Sequence, residues 1–560
     1  MKKKWWQEAI VYEIYCKSFC DSNGDGIGDL PGVMSKLPML AELGVNCIWF
    51  TPIYTSPQVD NGYDVADYRN IDPAYGTLDD FKKLLDMAHS LGIRVIMDMV
   101  LNHSSDECEW FRESRKSKDN PYRNYYIWQP PKDGHEPNNW GSYFREGNGS
   151  AWEFDETTGE YYLHQYSIKM PDLNWEYEPL RREIYDMLHF WIDMGVDGFR
   201  LDIFTRFKKP AGFPDTKKSP DLLLDRNGFV VDPSMCTNVE GIHEILHELY
   251  TEVFGPRDCM TVGEGAGVTS KNAVDYVSQT RQEIDMVYHF ELSHRRLYTL
   301  TPEHFRSVQK RWAEVITHNA WPVQYLSNHD SARQVSCYGS DGEYRIPSAK
   351  LLATLLHTTP GTPFIYQGEE IGMTNVVFDT IDDYNCCYTL GDYHSMVKSG
   401  VEPKEAIRTL APRSRDNART PYQWDSSENA GFTSGKPWMK LNPRYTEINL
   451  EADRKNPESI FAYYRALADM RTEHPAIIDG DLKFYLEDHP EIIMYTRSCA
   501  REKLLIVANH SEKEVGIEMP EDLLSNKWNR LLTNYADTAP ALDAMRTLRP
   551  WEVEVYELAI

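Results

Sequence analysis

The chain has 560 residues, with 59 Lys and Arg against 86 Asp and Glu, for a net charge of −27. That length exceeds what one hydrophobic core supports, so two or three domains are expected. A surface this acidic repels phosphate backbones and anionic lipid, which argues against nucleic acid and membrane surfaces and leaves neutral substrates.

The N-terminal segment MKKKWWQEAIVYEIYCKSF is basic, but Glu8 and Glu13 interrupt its apolar run. It does not read as a signal peptide, and no stretch reaches the length of a membrane span. The ten cysteines show no CxxC spacing and read as reduced, mostly buried thiols of a cytoplasmic protein. Eight short apolar or β-branched runs predict strands at 10–17, 45–52, 94–100, 198–203, 259–264, 286–292, 323–328 and 362–369. Helical periodicity falls between them at 77–91, 178–194, 238–254, 302–318 and 344–358, and Thr77 and Asp80 stand at capping-box spacing.

Eight strands alternating with helices predict an α/β fold, a (β/α)8 TIM barrel over 1–103 and 172–480. A doubly wound sheet alternates in the same way, but eight units and acids at strand ends favour the barrel. After strand three, residues 104–171 are rich in Trp, Tyr, Asn, Gly and Pro and read as an inserted subdomain over the rim. A second excursion runs over roughly 370–440. Beyond it, LKFYLE, EIIMYTRS, KLLIVANH, EVGIEMP and WEVEVYEL predict a C-terminal antiparallel β-sandwich domain at 481–560.

Asp202 in GFRLDIF, Glu264 in MTVGEGAG and Asp330 in YLSNHDS each stand at or just past the end of an apolar run. A lone acid there caps the next helix as readily as it does chemistry. Three such acids on one barrel rim would repel one another, leaving one group as a proton donor and another as an ionised nucleophile. Arg200 shares a strand face with Asp202, since side chains alternate, and its charge would keep that carboxylate ionised.

The motifs DMVLNH (98–103), MPDLNW (170–175), GFRLD (198–202), TVGE (261–264), LSNHD (326–330), GTPFIYQGEEIGMTN (361–375) and SRDNARTPYQWD (414–425) occur in this order. With them the chain resembles the α-amylase family of glycoside hydrolases, in its oligo-1,6-glucosidase and α-glucosidase branch. The resemblance implies Asp202 as nucleophile, Glu264 as general acid/base and Asp330 as the acid that binds sugar hydroxyls. It implies a retaining outcome, with the first two carboxyls about 5–5.5 Å apart. His103 and His329 match hydroxyl-binding histidines, and Asp60 and Tyr63 match a carboxylate and an aromatic platform. Arg415, rather than Arg419, matches the arginine that closes the glucose subsite with Asp60. Phe144 and Tyr166 are candidate pocket walls, with packing as the alternative, and Asp98 and Asp172 are expected to support the site. A relative that has lost catalysis would lack such a set of acids.

The segment Asp21-Ser-Asn23-Gly-Asp25-Gly-Ile27-Gly-Asp29 places oxygen ligands at alternate positions. Gly32 stands where an EF-hand needs a bidentate Glu, so this is no EF-hand, and a Gly/Asp-rich surface turn is the plain alternative. The resemblance implies a structural Ca2+ or Mg2+ held by Asp21, Asn23, Asp25, Ile27 and Asp29, with no organic cofactor. Ile203, the residue after the nucleophile, is closer to the Val of α-1,6-acting relatives than to the Ala or Thr of maltases. GEGAG in place of Met-Pro after Glu264, and a segment FELSHRRLYTL that looks short, depart from the pattern on the leaving-group side. The expected substrates are short isomalto-oligosaccharides, with maltose, sucrose or transfer to another acceptor as alternatives. The expected assembly is a monomer or weak homo-oligomer.

Overall fold

The structure, a computed structural model, describes residues 3–144, 146–219, 222–224, 227–292, 299–524, 527–537 and 542–559. Eight parallel strands make the barrel: β1 Val11–Ile14, β2 Cys47–Phe50, β3 Arg94–Met99, β4 Gly198–Leu201, β5 Met260–Glu264, β6 Met286–Tyr288, β7 Val323–Gln324 and β8 Thr362–Tyr366. Their order is β6-β5-β4-β3-β2-β1-β8-β7, and a parallel bridge from Val287 to Pro322 joins the two ends. The strands read as continuous apolar runs because helices cover them outside while side chains fill them inside. Inside, Val11, Trp49, Ile96, Val262, Tyr288 and Phe364 belong to one cluster. On that face β4 presents Arg200 in the midst of apolar neighbours, directly across the ladder from Asp98 of β3.

Amphipathic helices pack outside, among them Leu30–Glu42, Leu78–Ser90, Glu178–Met194, Pro302–Thr317 and Ile460–Glu473, whereas Arg345–Thr358 is buried on all sides from Ser348 to Thr358. The capping box at Leu78–Ser90 forms: Asp80 N donates to Thr77 Oγ1 at 3.2 Å and Thr77 N to Asp80 Oδ2 at 3.2 Å. Gly195, at φ 115°, ends Glu178–Met194 in the left-handed conformation that a helix C-terminus favours.

Several expected elements are shorter than predicted, each for a local reason. Past Tyr288 the side chains serve a loop instead of a ladder: His289 stacks on Trp312 at 4.0 Å, and Glu291 accepts from Trp312 Nε1 at 2.8 Å and Ser270 N at 2.7 Å. Past Gln324 the chain bends through an Asx turn, in which Asp330 N donates to Asn328 Oδ1 at 3.0 Å. The helix expected at 238–254 starts only after Gly241 (φ 91°), runs over Ile242–Leu249 and ends in a π turn at Tyr250–Phe254.

The long excursion after β3 carries a small antiparallel sheet of Trp128–Gln129, Trp152–Asp155 and Glu160–Leu163. Its two ends are pinned together by a bridge between His103 and Asp172. The second excursion carries helices Cys387–Lys398 and Pro403–Leu410. At the C-terminus, Asp481–Tyr485, Ile492–Ser498, Glu502–Asn509, Val553–Ala559 and Asn529–Thr533 form an antiparallel sheet. The pair Val515–Glu518 and Met545–Leu548 packs on it through Ile517 and Leu548. Among the described residues no helix is long and apolar enough to cross a membrane. All ten cysteines are unpaired, and seven of them are buried.

Candidate active site

A cavity of about 940 Å3 opens at the C-terminal ends of the strands. Asp60, Tyr63, His103, Phe144, Tyr166, Asp202, Ile203, Glu264, Asp330 and Arg415 all line it. Residues from the barrel and from both excursions thus meet at one place. Arg200 and His329 lie just beneath them, each almost fully buried.

The floor is organised by Arg200. Its Nη1 donates to Asp98 Oδ1 at 2.8 Å and Asp202 Oδ1 at 2.6 Å, and its Nη2 lies 2.9 Å from Glu264 Oε2. Three carboxylates share this one guanidinium, so the expectation that Arg200 alone keeps Asp202 ionised is incomplete. Burial, with Glu264 and Asp98 adding to it, pushes the Asp202 carboxyl well up, and Arg200 opposes them. Burial likewise pushes Asp98 up to about 6 against the pull of Arg200. Burial and mutual repulsion thus favour proton binding by Asp202 and Asp98, and the guanidinium between them works against it.

Ile203 follows Asp202 with φ 34° and ψ 40°, a left-handed conformation that a β-branched residue rarely adopts. The kink turns its N–H onto Glu264 Oε2 at 3.2 Å. Strain of this kind persists only where the surroundings impose it, and it clusters at functional sites.

Asp330 is held from the other side. Arg415 Nη2 is 2.8 Å from Asp330 Oδ2 and Arg419 Nη2 is 3.1 Å from Oδ1. Arg415 lies 3.9 Å from Asp60, farther than from Asp330. Arg419, the less favoured of the two from sequence, thus grips the same acid and also donates through Nε to the His329 carbonyl at 3.2 Å. The Tyr63 ring stacks on His329 at 5.3 Å, and its hydroxyl donates to Asp98 Oδ2 at 2.9 Å. Burial pushes His329 well below its ordinary value and lowers His103 to about 4. Asp172 accepts from Gln165 Nε2 at 2.6 Å and pairs with Lys209 at 3.0 Å, tying the insertion to the barrel.

Four contributors escaped the sequence reading. Glu13, the single acid of β1, lies 2.5 Å from His329 Nδ1 with Oε1, and burial pushes it up. Its charge inside an apolar strand was the available signal. Tyr388 covers Arg415 at 4.5 Å, and Phe144 meets it edge-on. Tyr143 and Arg206 line the wall beyond Tyr166. Only proximity in the fold singles out these last three.

In the loop at 21–29, Asn23 N and Gly24 N donate to Asp21 Oδ1, Asp25 N to Asn23 Oδ1 and Ile27 N to Asp25 Oδ1, all at 2.8–2.9 Å. Successive Asx turns and an all-oxygen donor set fit a hard cation. Against the pull of burial, hydrogen bonds from Thr433 and the loop backbone hold Asp21 below the usual carboxylate range. Asp29 is committed elsewhere as well: Oδ1 caps Gly32 N at 2.6 Å and Oδ2 accepts from Ser22 N at 3.0 Å. Among the described residues, the trio of acidic, His or Cys side chains with ligand atoms all within 4.8 Å is instead His474, Glu502 and Glu557. Of the segment FELSHRRLYTL, residues 293–298 lie outside the described residues, while Phe290 and Glu291 line the cavity.

Residues 13–480 match the family described as "Alpha amylase, catalytic domain". The oligo-1,6-glucosidases of Parageobacillus thermoglucosidasius and Bacillus cereus are 47% and 45% identical, over 100% of this chain and of each relative. The crystal structure of Bacillus licheniformis trehalose-6-phosphate hydrolase superposes with a TM-score of 0.91 at 42% identity, covering 100% of both chains. That of the trehalulose synthase MutB of Pseudomonas mesoacidophila superposes at 0.92 and 40%, with the same coverage.

Proposed function

The chain belongs to the α-amylase family of glycoside hydrolases, and from that premise we propose that it is a retaining, exo-acting α-glucosidase. It releases terminal α-1,6-linked glucose from short isomalto-oligosaccharides. The observation that carries this reading is the single guanidinium of Arg200 joining Asp202 to Glu264 at the base of the cavity. One side chain spans both carboxylates, which favours the separation of about 5–5.5 Å used in retention over the wider gap of inversion.

Asp202 attacks the anomeric carbon as Glu264 gives its proton to the leaving oxygen, and a glycosyl ester forms. Glu264 then takes a proton from the water that opens this ester, so the configuration is retained. The shorter contact of Arg200, 2.6 Å, goes to Asp202 and favours the ionised form there. Asp330, fixed by Arg415 and Arg419, holds glucose hydroxyls together with His103, while His329 backs the Tyr63 ring from beneath, its Nε2 2.7 Å from the Tyr63 hydroxyl. Tyr63, Phe144 and Tyr166 supply apolar walls, and Asp60 with Arg415 closes the far end.

The loop at 21–29 takes a structural Ca2+ or Mg2+ through Asp21, Asn23, Asp25, the Ile27 carbonyl and Asp29, away from the chemistry. Ten unpaired cysteines fit residence in a reducing cytoplasm. The deciding experiment is Asp202→Asn assayed on an aryl α-glucoside, together with NMR of the first-formed glucose anomer from the unaltered enzyme. Loss of nearly all kcat and initial release of α-glucose are expected. Retained kcat or initial β-glucose would refute the mechanism.

A further inference from the structure

Four arginines stand at the cavity, and three of them meet carboxylates: Arg200 meets Asp98, Asp202 and Glu264, while Arg415 and Arg419 meet Asp330. Arg206 differs. It lines the cavity at 6% exposure, and its Nε and Nη1 have no hydrogen-bond partner. Among the described residues no carboxylate pairs with it; its guanidinium instead lies over the ring of Tyr143 at 4.5 Å, with Tyr166 at 6.0 Å. A buried cation with unmet donors is costly, and it persists where something else supplies acceptors. The Tyr143 hydroxyl, through a side-chain hydrogen bond, and the aromatic faces hold the guanidinium while Nε and Nη1 keep no partner.

The position of Arg206 follows from the turn that carries it. Phe204–Arg206 is a 3-10 turn that follows directly on Ile203, and Thr205 Oγ1 donates to the Ala266 carbonyl at 2.8 Å. Arg206 therefore rides with the loop that follows Glu264. The general acid has to stand between the glucose and the group it protonates. The wall joined to its own loop is therefore the one that faces the leaving group.

We infer that Arg206 determines leaving-group specificity, donating hydrogen bonds to hydroxyl oxygens of the sugar that departs. This rests on the reading of the chain as an α-glucosidase and adds a residue that selects a sugar over an aglycone without hydroxyls. Arg206 takes no part in bond cleavage. Its contribution is to orient the leaving sugar so that the glycosidic oxygen faces Glu264.

The test compares kcat/KM for isomaltose and maltose with that for 4-nitrophenyl α-glucoside, whose aglycone carries no hydroxyl. The unaltered enzyme, Arg206→Met and Arg206→Lys are measured, each checked for cooperative melting. Arg206→Met is expected to lower the disaccharide-to-aryl ratio by about 10- to 100-fold, the range for losing a charged hydrogen bond, and Arg206→Lys to recover part of it. A merely structural arginine would move both substrate classes in proportion, and a ratio unchanged in both variants overturns the inference. If Arg206→Met does not melt cooperatively, the ratio in Arg206→Lys decides: a drop of threefold or more supports the role, and no drop overturns it. An unaltered enzyme that cleaves none of these substrates defeats the α-glucosidase reading, and the role of Arg206 falls with it. An active enzyme with an unmoved ratio defeats Arg206 alone.

Discussion

Phe144, from the excursion after β3, meets Tyr388, from the excursion after β8, edge to face with ring centroids 4.7 Å apart. Tyr388 in turn lies over the Arg415 guanidinium at 4.5 Å. Two segments far apart in sequence thus close one end of the cavity and steady the arginine that grips Asp330. Tyr388→Ala removes both the aromatic contact and the cation–π contact, each of which is worth roughly 0.5–2 kcal/mol. KM for an aryl α-glucoside should rise about 10-fold, with a smaller change in kcat. Steady-state kinetics check this, and an unchanged KM would remove Tyr388 from the glucose pocket.

Ile203 lines the cavity next to Asp202, so its side chain shapes the space where the bond to the leaving sugar lies. Shortening that wall with Ile203→Ala should lower the isomaltose-to-maltose ratio of kcat/KM by about 10-fold, the range for trimming an apolar pocket wall. Side-by-side progress curves on the two disaccharides provide the measurement. A ratio that stays put would transfer linkage selection to the Gly265–Thr269 loop.

Adding millimolar Ca2+ to chelator-treated protein should raise Tm by several degrees through the loop at 21–29. Mass action of this kind is worth about 3 kcal/mol at a hundredfold excess over Kd. Asp21→Asn should abolish the rise and leave kcat on the aryl glucoside within about twofold. A rise that survives this substitution would place the ion elsewhere.

Glu369 is buried below the rim, accepts from Ser327 Oγ at 2.5 Å, and is pushed by burial up to about 8 from an ordinary value of 4.5. Its folded form binds the proton more tightly than the unfolded chain does. The stability this gives is complete below pH 4.5 and is lost as pH rises through 8. Glu369→Gln does not ionise, so its stability relative to the unaltered protein should grow across pH 5–8 by about 3–5 kcal/mol. Denaturant unfolding at several pH values tests this, and a difference flat with pH would show that Glu369 is ionised throughout.

The barrel and the converging acids were legible because local rules fix them: continuous apolar runs mark parallel strands, and Asp202, Glu264 and Asp330 stand at their ends. Strands β6 and β7 are shorter than their apolar runs predict because His289, Glu291 and Asn328 spend their hydrogen-bonding capacity on loops, which periodicity does not register. Arg415 does lie near Asp60, but Arg415 and Arg419, one helical turn apart, also grip opposite oxygens of Asp330, a sharing that spacing in the sequence does not reveal. Glu13, Tyr388 and Arg206 gain their places only when distant segments pack together.

In mechanical terms the barrel is a split ring. Backbone ladders run unbroken from β6 round to β7, but the seam between these two strands is held by the bridge from Val287 to Pro322, and a proline there has no N–H to offer. Asp202 and Glu264 sit on adjacent strands of the continuous arc, whereas Asp330 follows β7 at the free lip. Its alignment with the other two acids cannot be relayed by neighbouring ladders across the split. Arg415 and Arg419 act as the clasp: through side chains from the second excursion they set the gauge of the site where the backbone leaves it open.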